Sequence, residues 1–170
     1  MKRPETNEYD PYYGNYISLV DGDNVLPILD AQPAELNALF LQAPEDKGRF
    51  AYSEGKWTIK ELISHVIDGE RMFAYRILRI SRGDLTPIEG FEQDGYIENS
   101  NANNRSFAEL LSEFELCRRS NMLMFNNLSG DAAARVGIAN GQEISVRALA
   151  YIMAGHVAHH VNILQTRYLA

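Results

Sequence analysis

Cysteine is nearly missing from this sequence, Cys117 being the only one. An internal disulfide and any cysteine-based zinc spacing are thereby excluded. No apolar run approaches the ~20 residues that span a bilayer. The opening Met1-Lys2-Arg3-Pro4-Glu5-Thr6-Asn7 lacks the apolar core of a signal peptide, so we expect a cytoplasmic protein without membrane contact. Basic residues are in the minority: 16 Lys and Arg against 23 Asp and Glu leave a formal charge of −7. Such a surface suits a nucleic-acid backbone poorly. The acidic residues are scattered, so no acidic tail is implied. Internal repeats and low-complexity segments are also lacking. What is present is an ordinary globular composition, 45% hydrophobic and 23% charged. At 170 residues the chain can bury a sizeable core as one domain spanning 1–170.

Residues 1–22, rich in Tyr, Asp, Asn and Gly, read as an irregular lead-in packed on the body. Four helical segments follow. The first runs from Asn24 to Leu41 in one apolar phase, and Pro33 inside it predicts a kink. The second opens on a capping box, Thr58 with Glu61, carries a broad apolar stripe and stops at Ser81-Arg82-Gly83. The third opens on a second box, Ser106 with Glu109, and is expected to end at Gly130. Asn121 falls in its buried phase and needs a partner. Cys117 falls there too and reads as a small buried filler. The fourth starts at Ser145 and runs nearly to the C-terminus. Before it, Asn140-Gly141 is a strong hairpin turn signal. Between the second and third helices, Arg82 to Arg105 shows no period, a connection long enough to run the length of a bundle. The expected fold is all-α, a four-helix bundle with a crossover between helices 2 and 3 and a small hairpin before helix 4.

The four histidines all lie in the second and fourth of these segments. His156 and His160 stand four apart and share a helix face near the centre of the apolar stripe. Buried imidazoles need partners for both ring nitrogens, and charging both in an apolar setting is costly. A divalent metal resolves this by taking a lone pair from each ring. The spacing also arises by chance, and Val157 after His156 rules out the His-Glu-x-x-His metalloprotease pattern. His159 points about 100° away. His65 is the remaining candidate, but its helical wheel puts it over ~90° from the middle of its own stripe. It therefore sits at a shoulder facing the fourth helix or a cleft, or is a surface histidine beside Asp68. Glu70 falls near mid-stripe. It reads as a general base, as a group orienting a ligand histidine, or, the favoured reading, as one half of a buried pair with an arginine such as Arg147.

The segment Lys56 to Glu70, with Trp57-Thr58 leading into a helix that carries His65, Asp68 and Glu70, resembles the hallmark of the DinB/YfiT-like superfamily. The segment Gly155 to Leu164, with His156, His159 and His160, resembles its second hallmark, and Gly90-Phe91-Glu92-Gln93-Asp94-Gly95-Tyr96 extends the likeness into the long connection. The resemblance implies a down-up-up-down bundle and a metal on His65, His156 and His160, with His159 outside the ligand set. Similar members include bacillithiol transferases and mycothiol-dependent maleylpyruvate isomerase. The expectation is a divalent-metal-dependent enzyme using zinc, nickel, iron or manganese. Its chemistry would be thiol-dependent S-transfer on a small-molecule substrate, with a low-molecular-weight thiol as cosubstrate. A metal-dependent hydrolase and a non-catalytic metal-binding or stress protein are the alternatives. Glu70, Asp94 and Tyr96 are the candidates for acid–base or lid roles. Arg76, Arg79 and Arg82 read as a solvated basic stretch that could otherwise meet carboxylates of the thiol. A homodimer is expected from the family.

Overall fold

A computed structural model describes residues 1–41 and 43–169. The lead-in makes a 3-10 turn, Pro11–Tyr13, and a single helical turn, α1 (Gly14–Ile17). The body is built from α2 (Leu26–Phe40), α3 (Ile59–Ser81), the short α4 (Gln93–Glu98), α5 (Phe107–Phe125), the short α6 (Gly130–Ala134), a hairpin of β1 (Val136–Ala139) and β2 (Gln142–Ser145), and α7 (Val146–Ile163). A π-helical turn, Leu164–Tyr168, extends α7. The four long helices form the bundle, with α3 packed on α7 and α5, and α2 on α5.

Helix directions follow from which ends touch. Asn103, just ahead of α5, bonds Thr58 and Glu61 at the start of α3, so α3 and α5 run parallel. Tyr168 beyond α7 bonds the Trp57 carbonyl ahead of α3, and Phe40 at the end of α2 meets Phe107 at the start of α5. Helices α2 and α7 therefore run opposite to the other pair, which is the down-up-up-down arrangement. The connection from Arg82 to Ser106 must return the length of α3, about 35 Å for 23 residues. On the way Ile88 pairs with the hairpin, its N–H donating to the Ile138 carbonyl at 2.9 Å.

Local signals held where they were strong. Thr58 Oγ1 accepts from the Glu61 N–H at 3.2 Å while Glu61 accepts from the Thr58 N–H at 2.8 Å, and Ser106 with Glu109 repeats the exchange. Asn140 and Gly141 take positive φ, 52° and 74°, the geometry of the tight hairpin turn. Two expectations shift. Helix α5 ends at Phe125, and Gly130 opens α6 instead of closing α5, because Ser129 caps the new helix through the Ala132 N–H. Cys117 is half-buried rather than interior and borders a groove with Arg71 and Glu113.

Helix α2 is continuous across Pro33. Proline has no N–H to give the carbonyl four residues back, and Leu29 makes that good by accepting from Arg118 Nη1 at 2.6 Å. Arg118 is 1% exposed. Its Nε and Nη2 grip the two oxygens of Glu70 at 2.8 and 2.7 Å, and its Nη1 also meets Gln32 at 2.9 Å. Asn121 donates to Glu70 at 2.7 Å, the partner its interior position requires. This polar layer lies between two apolar clusters, one containing Leu29 and Phe73, the other Leu36 and Ile67. Glu70 is thus a buried ion pair, as favoured, but its arginine is Arg118; Arg147 instead pairs with Glu8 of the lead-in.

Candidate metal centre

Helix α3 brings His65 and α7 brings His156 and His160 to one point. His65 Nε2 lies 2.9 Å from His156 Nε2, which lies 3.2 Å from His160 Nε2. The three rings are 5%, 6% and 8% exposed. His65 occupies the α7-facing shoulder of its helix, with the Trp57 ring packed on it at a centroid distance of 4.8 Å. His156 is seated by Phe73 and by Tyr16 of the lead-in. Gly69 makes room for it: a Cβ there would lie 2.8 Å from His156 Cε1. Likewise, a Cβ on Gly155 would collide with the Tyr16 backbone, so both glycines permit close approach. His159 stands edge-on to Tyr16 at 5.5 Å, outside the three-nitrogen cluster.

Burial is the first cause of every histidine shift here. It pushes His65 down to about 4 and His160 down to about 3, and it drives His156 well below its ordinary value, with the neighbouring histidines adding to each effect. The rings are therefore neutral at physiological pH. Three neutral imidazoles facing through Nε2 cannot all be satisfied by one another, since each nitrogen either carries a proton or needs one. His160 Nδ1 is also buried without a partner. A cation at the centre fits the donor set. Tetrahedral zinc with Zn–N bonds of about 2.0–2.1 Å sets its ligand nitrogens roughly 3.3 Å apart, close to the spacing observed.

The cluster opens into a cavity of about 410 Å³. Its walls include Tyr12, Tyr13 and Tyr16 from the lead-in, Trp57 and Phe73, Phe91 and Gln93 from the crossover, and Asn140 from the hairpin turn. A family model described as the DinB superfamily matches residues 28–164. The chain belongs to the DinB superfamily. A solved structure similar to this DinB chain is YfiT from Bacillus subtilis, described as a probable metal-dependent hydrolase with an unusual four-helix bundle topology. It is 13% identical, with a TM-score of 0.77 over 95% of this chain and 89% of that one. No curated protein matches the chain in sequence.

The residues expected to do acid–base chemistry are not brought to the histidines. Glu70 is locked in the Arg118 layer. Tyr96 faces a different groove, with Ser64, Asp68 and Arg71 on the other side of α3, and Asp94 is exposed in the first turn of α4. Glu92 sets this orientation by capping α4, accepting from the Asp94 and Gly95 N–H groups. The crossover reaches the cavity through Phe91 and Gln93 instead. Of the three arginines, Arg82 is exposed and Arg79 pairs with Asp84. Arg76 departs from the solvated reading: it is 4% exposed and lines the cavity. Sequence reading also missed the lead-in tyrosines, which carry no helical period. Arg118 was findable, because it shares the phase of Leu111, Phe114 and Phe125.

Proposed function

We propose that this chain is a divalent-metal-dependent enzyme, with His65, His156 and His160 as ligands, that transfers a low-molecular-weight thiol onto a small electrophile. The observation that carries the reading is the convergence of three buried Nε2 atoms on the wall of a cavity large enough for a small organic molecule. A divalent ion on three neutral imidazoles keeps its charge and lowers the pKa of a thiol or water beside it. Among the described residues, no Cys, Ser, Asp or Glu lines the cavity to act as a nucleophile. Cys117 lies in another groove, and burial pushes its thiol upward.

The lack of a lining carboxylate favours thiol over water. A thiol, with pKa near 8.5, needs little help to ionise, whereas water starts near 15.7 and zinc peptidases set a carboxylate beside it. Aromatic side chains of Tyr16, Trp57 and Phe73 pack directly against the histidine rings. His159, half-buried at the cavity, is the one further imidazole within reach to hold a proton. Hydrolysis is the second reading, favoured by the description of YfiT.

Elemental analysis tests the site: near-stoichiometric metal is expected in the wild-type protein and in His159→Ala, and none in His156→Ala. Equal metal in the two variants would defeat the ligand assignment. Thiol consumption with monochlorobimane should exceed 4-nitrophenyl acetate hydrolysis and should rise with pH. A flat profile across several low-molecular-weight thiols refutes thiol transfer.

A further inference from the structure

Among the described residues two arginines are buried, and they are treated in opposite ways. Arg118 has a carboxylate, an amide and a carbonyl for its guanidinium. Arg76, 4% exposed, forms no ion pair among the described residues. Its Nη2 has one long hydrogen bond, 3.4 Å to the Glu89 carbonyl, and its Nε is buried with no partner at all. Burial lowers its pKa from the ordinary arginine value, and the Tyr13 side chain, by its charge and a hydrogen bond, offsets this only in part. An unpaired buried guanidinium is costly, and its planar fork matches a carboxylate. Arg76 also borders the cavity into which the three histidines open.

We propose that Arg76 is the anion anchor of this cavity, and that the molecule seated there is a small elongated acid whose carboxylate pairs with Arg76 while its other end reaches the histidines. The helix sets the ruler. Arg76 comes eleven residues after His65, which returns it to within about 20° of the same face and about 16 Å along the axis. Long side chains on a helix lean back toward its N-terminus, which shortens that gap. Phe73 and Tyr13 lie along this stretch, so the body between carboxylate and reacting end is apolar or aromatic. The inference rests on the metal-enzyme reading for what happens at the far end, but not for the anchor itself.

The probes are 4-phenylbutyrate and its neutral amide, titrated calorimetrically into the protein as purified and again after chelation. The acid should bind at least tenfold more tightly than the amide in both states. Arg76→Met should abolish the difference while keeping wild-type metal content, and Arg76→Lys should restore part of it. An acid preference that survives Arg76→Met, or no binding of either probe, overturns the anchor. A preference lost on chelation places the carboxylate on the metal, which removes the anchor and leaves the metal reading intact. An acid preference in protein that carries no metal as purified and takes up none when metal is added keeps the anchor and removes the enzyme reading. Should Arg76→Met fail to fold, the wild-type Arg76 Nε–H resonance must shift with the acid and not with the amide; an unmoved resonance is equally fatal.

Discussion

Replacing Arg118 by methionine tests whether the polar layer of the bundle is structural. The substitution keeps much of the volume and leaves the Glu70 carboxyl, its side chain 0% exposed, with Asn121 as its remaining side-chain partner. It also strands the Leu29 carbonyl, which Pro33 cannot serve, and removes a donor from Gln32. Breaking one side of a buried ion pair costs about 3–5 kcal/mol, and an orphaned buried carbonyl adds about 1–3 kcal/mol. Since domains are stable by only about 5–15 kcal/mol, Arg118→Met should lose at least about 4 kcal/mol in urea unfolding and about 10 °C in Tm. The double variant Glu70→Leu, Arg118→Met should recover most of the ion-pair loss, because an apolar pair of similar size replaces it. It should retain the carbonyl cost, which neither substitution repairs. A single variant within about 1 kcal/mol of wild type would refute this account. The same experiment separates Glu70 from catalysis: Glu70→Gln should lower stability yet keep metal content, and a folded Glu70→Gln that has lost its metal would return Glu70 to the site.

The remaining expectations concern the histidine cluster. In metal-free protein the folded-state pKa values of His65, His156 and His160 lie below the unfolded value of about 6.5. The unfolded chain therefore takes up protons that the native state refuses, and stability falls as pH drops below that value. For His65 the loss levels off near its folded value of about 4. The slope approaches about 1.4 kcal/mol per pH unit for each ring, whereas the lowered carboxylates Glu8 and Glu113 respond only below their unfolded value of 4.5. Urea midpoints that stay level between pH ~6.5 and ~5 would contradict the buried neutral rings. Gly69→Ala should push the His156 ring off its position and weaken metal binding by roughly 10–100-fold, read by competition with a chromogenic chelator; unchanged affinity would show that the ring has room to move.

What the sequence made legible was whatever a single helix or turn decides. The capping boxes at Thr58 and Ser106, the turn at Asn140-Gly141, and the shared face of His156 and His160 need only local geometry. The place of His65 was not legible in this way, because its wheel angle says only that it leaves the apolar stripe, and packing of α3 on α7 decides that the shoulder is interior. Tyr12, Tyr13 and Tyr16 come from a segment with no long helix, so no period points them at the site. Asp94 and Tyr96 failed for the same reason in reverse: the six-residue α4 is oriented by the Glu92 cap and the crossover path, and that turns Tyr96 to the opposite side of α3.

Two polar constellations of the interior contrast, and that contrast is our reason for reading one as scaffold and the other as site. Around Arg118 the charged atoms meet partners within the chain: both Glu70 oxygens are gripped, Asn121 is used, and the carbonyl freed by Pro33 is capped. Such a layer requires nothing from outside and is explained by what it does for the fold. Around the histidines the accounting does not close: three Nε2 atoms face one another, His160 Nδ1 has no partner, and Arg76 Nε has none either. Each of these unmet groups borders one cavity or the cluster that opens into it. Unsatisfied buried groups cost about 1–3 kcal/mol apiece, a burden that brings the folded chain no return unless ligands satisfy them. The three Nε2 atoms suit a cation, which leaves His160 Nδ1 as a donor in need of an acceptor, and the guanidinium suits an anion, so a cation alone does not answer all of them. On the two proposals made above, the same cavity seats a metal at one end and a negatively charged organic group at the other.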